Sequence, residues 1–152
     1  MTPEEKLSSL GLTLPEAAAP VGSYVNAVLT GKLLHISGGL PIIGEEKYFG
    51  KVPSECDVET AQKAARIALL SRLAVIKAEL GSLDRVARIV SLSGFVNAEP
   101  DFTAHPQVIN GASDLLVEVF GEAGKHSRAA VGCSSLPLGV SVEVSLVVEV
   151  KD

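Results

Sequence analysis

Residues 126–150 read HSRAAVGCSSLPLGVSVEVSLVVEV. Two β-rich runs, near Ser127 to Cys133 and Val140 to Val150, flank SSLPLG, whose proline and glycine interrupt strand pairing. The second run alternates. Val140, Val142, Val144, Leu146, Val148 and Val150 share one face, and Ser141, Glu143, Ser145, Val147 and Glu149 share the other. The first face is wholly apolar and packs beneath helices, whereas the second is half polar and suits burial against neighbouring subunits. A turn around Leu136 to Gly139 predicts a hairpin that brings Arg128 and Glu143 to neighbouring sheet positions.

Upstream, the chain supplies the helices and the rest of the sheet. Thr2 and Pro3 open a short helix that stops at Gly11, and TLPEAAAPVG connects it onward. From Tyr24, YVNAVLTGKLLHISG reads as a hairpin turning at Thr30-Gly31-Lys32. PIIGEEKYFGKVPSE predicts a loop with a short edge strand around Tyr48 to Val52. Asp57 caps a long helix that ends at Gly81, with Ala64, Ile67, Ala68, Leu70, Leu73, Ala74, Ile76 and Leu80 along one broad face. A strand from Val86 and a helix from about Pro106 to Phe120 follow. The order αββ(β)αβαββ predicts an α+β fold, a mixed sheet with two helices packed on one face, over one domain spanning 1–152, with 1–20 as an amino-terminal helix and connection.

Composition narrows the function classes. The chain is 47% hydrophobic and 20% charged, more apolar than one monomer's core readily hides, which predicts an obligate oligomer. No apolar run reaches the ~18 residues of a membrane helix, so no membrane partner is expected. MTPEEKLSSLG has early acids and no apolar stretch, which predicts a cytoplasmic protein. Net charge −5, four Phe, two Tyr and no Trp disfavour nucleic acid as a partner. Cys56 and Cys133 stand far apart without histidine at ligand spacing and read as reduced thiols.

Arg128 and Glu143 are the residues with most to explain. An arginine in apolar surroundings suits a bidentate grip on a carboxylate, because its planar fork stays charged and is weakly hydrated. A surface salt bridge between the two, worth about 0–1 kcal/mol, is the plain alternative. His35, His105 and His126 fit no metal set, and neither GxSxG nor GxGxxG occurs, so no metal and no cofactor is expected. Ser37-Gly38-Gly39 ends a strand and either offers backbone N–H groups to an anion or simply turns.

YVNAVLTGKLLHISGGLP, residues 24–41, resembles the amino-terminal hairpin of the RidA family, also called YjgF, with its tyrosine and S-G-x-x-P segment. RAAVGCSSLPLGVSVEVSLVVEV is similar to that family's carboxy-terminal signature, R-x-x-V-x-x-x-x-L-P-x-x-x-x-(V/I)-E-(V/I). The resemblance runs from about residue 20 to 150. It implies a chorismate-mutase-like fold, a homotrimer with ligand sites in the intersubunit clefts, and cofactor-independent hydrolysis of 2-imino or 2-enamino acids to 2-oxo acids and ammonia. By motif position, Arg128 would hold the substrate carboxylate and Glu143 would orient or activate water. Tyr24, Ser37, Gly38 and Asn110 would contact the substrate.

Two departures mark a divergent subgroup. Ala130 stands where the family often has cysteine, and EPDFTAHPQVINGASDLL, residues 99–116, is longer and differently composed than in typical deaminase members. Two functions therefore stay open: an enamine/imine deaminase, or a non-catalytic trimeric binding protein for small carboxylate metabolites. The endoribonuclease or translation-inhibitor label that some family members carry fits poorly with the acidic balance and missing stacking residues.

Overall fold

In the computed structural model, which describes residues 1–152, the alternating run near the carboxy terminus is the middle strand of a five-stranded sheet. In chain order the elements are α1 (Pro3–Ser9), β1 (Ala27–Thr30), β2 (Leu33–Gly39), β3 (Ile42–Ile43), β4 (Glu46–Lys47), α2 (Val58–Leu80), β5 (Val86–Asn97), α3 (His105–Phe120), β6 (Ser127–Cys133) and β7 (Val142–Val150). The main sheet runs β1-β2-β7-β5-β6, and β3 pairs with β4 alone. β5 and β6 are parallel, and the other neighbours are antiparallel.

Local chemistry accounts for the element boundaries. Thr2 and Glu5 exchange side-chain to backbone hydrogen bonds of 2.8 and 3.1 Å, a capping box that starts α1. The N–H of Thr60 donates to Asp57 Oδ1 at 2.8 Å at the start of α2, and Gly81, at φ 85°, closes that helix. Glu4 Oε1 accepts from the N–H of Leu83 at 2.9 Å and ties α1 to the turn after α2. Where α2 crosses α3, a Cβ on Gly111 would overlap the carbonyl oxygen of Gln62, so glycine sets the approach of the two backbones.

Both long helices lie on one face of the sheet, against a core of 31 buried residues. β7 obeys its alternation, with Val142, Val144, Leu146, Val148 and Val150 buried against the helices and the intervening residues partly exposed. Cross-strand pairing continues the opposite face in rows such as His35–Val147–Ser91 and Glu143–Phe95–Val131. No helix covers those rows.

Two expectations need correction. β6 and β7 do not form a hairpin, because β5 lies between them and the connection after Cys133 carries the chain across the end of β5. The turn residues of SSLPLG are the same for a hairpin and for this crossing, so local pattern does not separate them. The edge strand expected around Tyr48 to Val52 is reduced to isolated bridges, Phe49 with Val140 and Val52 with Ala98, and the paired residues lie earlier, in β3 and β4.

Candidate active site

The first half of the site stands on the sheet's edge strand. Arg128 is paired with Leu92, a core residue on the helix side, so its side chain turns toward α3. There its Nη1 donates to Asn110 Oδ1 at 2.7 Å and to Ser113 Oγ at 3.2 Å. His126 extends the chain of contacts. Its Nδ1 lies 2.6 Å from the carbonyl oxygen of Gly124 and must donate to it, which leaves Nε2 to accept from the Ser113 hydroxyl at 2.9 Å in the neutral ring. Arg128 thus has one nitrogen held by two neutral oxygens. It enters no ion pair, and its other nitrogens donate to no protein atom.

The second half gathers at the end of β2. Tyr24, Asn26, Ser37, Gly38, Ser71 and Arg72 contribute to a cavity of about 240 Å³. A Cβ on Gly38 would overlap the Glu143 carboxylate, and one on Gly39 would overlap the Arg72 guanidinium, so the two glycines admit both charged groups to the backbone. The N–H of Ser37 donates to the carbonyl of Asn26 at 2.9 Å, so this amide is not free for an anion. Burial pushes the Glu143 carboxyl above its ordinary value, with Arg72 partly opposing the shift. The Glu143 carboxylate accepts no hydrogen bond from the chain and joins no ion pair.

Within one chain the two halves are apart. Arg128 is in register with Leu92 and Leu146, whereas Glu143 is in register with Phe95, three residues further along. That offset is about 10 Å along the strands, with two strand spacings, about 10 Å more, across the sheet. They also occupy opposite faces, since Glu143 alternates with buried Val142 and Val144. The structure therefore joins Asn110 to Arg128, and Tyr24, Ser37 and Gly38 to the neighbourhood of Glu143, but does not bring Arg128 to Glu143.

Three further residues belong to this geometry. Ser113 and His126 were absent from the sequence-derived site, and only their spacing from Asn110 and Arg128 hinted at it. Arg72 was absent too, although a charge at a position flanked by Ala68, Leu69, Val75 and Ile76, all buried, was a legible signal. The larger cavity, about 630 Å³, is lined by Lys51, Phe102, His105 and Cys133 among others and contains none of the expected site residues. Cys56 and Cys133 are both free.

A family model for "YjgF/chorismate mutase-like, putative endoribonuclease" matches residues 4–150. The chain belongs to this family. Within the YjgF family it is similar to Protein TCP17 of Trypanosoma cruzi, 45% identical over 148 residues that cover 96% of this chain and 92% of that one. Two solved structures match nearly the whole length. A protein of unknown function from Agrobacterium tumefaciens is 42% identical, with TM-score 0.91 over 99% of this chain and 93% of its own. A putative endoribonuclease from Shewanella oneidensis is 38% identical, with TM-score 0.95 over 99% and 100%. Another solved chain, from Thermotoga maritima, shares the fold at 23% identity and TM-score 0.63, so this YjgF-family chain sits in a divergent subgroup. No helix is long and apolar enough to cross a membrane.

Proposed function

We propose that the chain forms a homotrimer in the cytoplasm and hydrolyses 2-imino and 2-enamino acids in clefts where Arg128 of one protomer meets Glu143 of the next. The observation that carries this reading is the placement of two charged residues without ion-pair partners on opposite faces of one sheet, Arg128 on its edge strand and Glu143 on its middle strand. Neither has an ion-pair partner in its own chain. Burying the half-apolar open face against neighbouring copies would remove Val147, Phe95 and Val131 from water and close such clefts.

The residues suit the reaction. Arg128, steadied through Nη1, presents its remaining N–H groups to the substrate carboxylate. The imine carbon is already electrophilic, so catalysis needs a held substrate, a placed water and proton exchange. Glu143 takes a proton from water as the water oxygen bonds to C2, and passes that proton to the imine nitrogen as the C=N π bond breaks. This gives a neutral carbinolamine and returns Glu143 to its ionised form. Collapse of the carbinolamine breaks the C2–N bond, returns the hydroxyl proton through Glu143 to the leaving nitrogen, and releases ammonia and a 2-oxo acid. A half-buried carboxyl shifted upward exchanges that proton more readily near neutral pH than an ordinary one. The scheme uses no metal and no cofactor.

The test is hydrolysis of 2-iminopropionate and 2-iminobutyrate, generated in situ by an amino-acid oxidase or dehydratase and followed by semicarbazide trapping. Wild type accelerates the reaction and Arg128→Ala abolishes the acceleration while the trimer persists. A second reading, carboxylate binding without turnover, draws on the absence of any protein hydrogen bond orienting Glu143. Carboxylate binding that depends on Arg128, with no acceleration of either imine, selects that reading.

A further inference from the structure

Arg72 is a buried cation that no acid in the chain neutralises at contact distance. Only 7% of its surface is exposed, and no carboxylate oxygen lies within ion-pair range of its guanidinium. Its hydrogen bonds go to neutral oxygens: Nη1 to the Ser37 carbonyl at 2.9 Å and to Ser37 Oγ at 3.4 Å, and Nε to Ser71 Oγ at 3.3 Å. Nη2 donates to no protein atom, yet it is not sealed off, because the chain holds no fully buried side-chain nitrogen without a partner. Arg72 lines the cavity that it shares with Tyr24, Asn26, Ser37 and Gly38.

A guanidinium removed from water needs an anion or a full set of acceptors. Here the acceptors are incomplete. Glu143 is close enough to act on Arg72 through space, but it forms no contact pair, so it offsets part of the charge and leaves Nη2 free. The fixed Nη1 and Nε bonds and the bare backbone of Gly39 hold the planar group in place, which is the preorganisation a carboxylate seat requires.

We infer that Arg72 seats a second anionic group of the ligand, so that the preferred ligands are dicarboxylic: 2-imino acids with a side-chain carboxylate, and their 2-oxo products. This rests on the reading that Arg128 of a neighbouring protomer holds the first carboxylate in the same cleft. Arg72 is then the specificity-determining residue, and the small cavity, about 240 Å³, has room for the short acidic side chain and not for a bulky one.

The experiment compares two product-like probes of equal chain length, 2-oxoglutarate and 2-oxopentanoate, by isothermal titration of the full-length protein. Wild type binds the dicarboxylate at least ~10-fold more tightly, the difference of one desolvated charge-assisted contact. Arg72→Met removes that preference, weakening 2-oxoglutarate by at least ~10-fold more than 2-oxopentanoate, while Arg72→Lys keeps part of it. Equal affinity of wild type for the two acids, no detectable binding of either, or a preference that survives Arg72→Met overturns the inference. The wild-type comparison decides even if Arg72→Met does not fold. Arg128→Ala separates the two claims: it weakens both acids if the cleft reading holds. If it changes neither while Arg72→Met abolishes 2-oxoglutarate binding, Arg72 is a seat and the shared cleft is wrong.

Discussion

Arg128 and Glu143 lie on opposite faces of one sheet, on strands that both pair with β5, so a single ligand reaches both only where two chains meet. Chains carrying complementary defects should therefore rescue one another.

The Arg128→Ala and Glu143→Gln proteins are each expected to be inactive. Refolded together at equal amounts, they should regain about a quarter of wild-type imine hydrolysis, because that share of interfaces joins an intact arginine to an intact glutamate. Mixed trimers with no recovered activity would place the two residues in separate sites.

Asn110 and Ser113 both accept from one nitrogen of Arg128 and so steady its guanidinium. Asn110→Ala or Ser113→Ala should raise KM about 10-fold by freeing the guanidinium, with little change in kcat. A fall in kcat at constant KM would instead give these side chains a part in the chemical step. Ser113→Thr, which retains the hydroxyl, should restore most of the affinity.

Burial raises the Glu143 carboxyl above its ordinary 4.5, so the folded chain binds that proton more tightly than the unfolded chain does. Its contribution to stability is then fully present below pH 4.5 and is lost as pH rises through the folded value. Glu143→Gln, which cannot ionise, should melt at the same temperature as wild type in acid and above it near neutrality. Thermal melts from about pH 4 to pH 8 check this. A variant that becomes relatively less stable as pH rises would show that attraction to Arg72 outweighs desolvation.

Gly111 fixes the approach of α3 to α2 at Gln62. Gly111→Ala should cost about 1–3 kcal/mol in denaturant unfolding, since a methyl there forces backbone against backbone. A cost below about 0.5 kcal/mol would mean that the helices separate freely.

The sequence made plain what depends on near neighbours along the chain. Asp57 and Gly81 bound α2, Gly31 turns the first hairpin at φ 59°, and the valine alternation of β7 assigns its buried face. Strand order was not legible in that way. SSLPLG connects two strands that flank a third, and only the pairing of β5 with both reveals it. The site suffered from the same limit. Asn110 and Arg128 emerged through the family motif, whereas Ser113 and His126 act through contacts across 13 to 15 residues. Arg72 was legible but passed over, because an amphipathic reading of α2 attends to the apolar residues around it rather than to the one charge among them.

The position of β7 has a consequence for biosynthesis. The strand that emerges last of the five is the one that sits in the middle, between β2 and β5. During translation the β1–β2 hairpin and the β5–α3–β6 unit can each form, but each keeps an open edge until Val142–Val150 has left the ribosome. A nascent chain stalled before that point would present two unpaired sheet edges and would hold Arg128 in place while still lacking Glu143, which β7 carries.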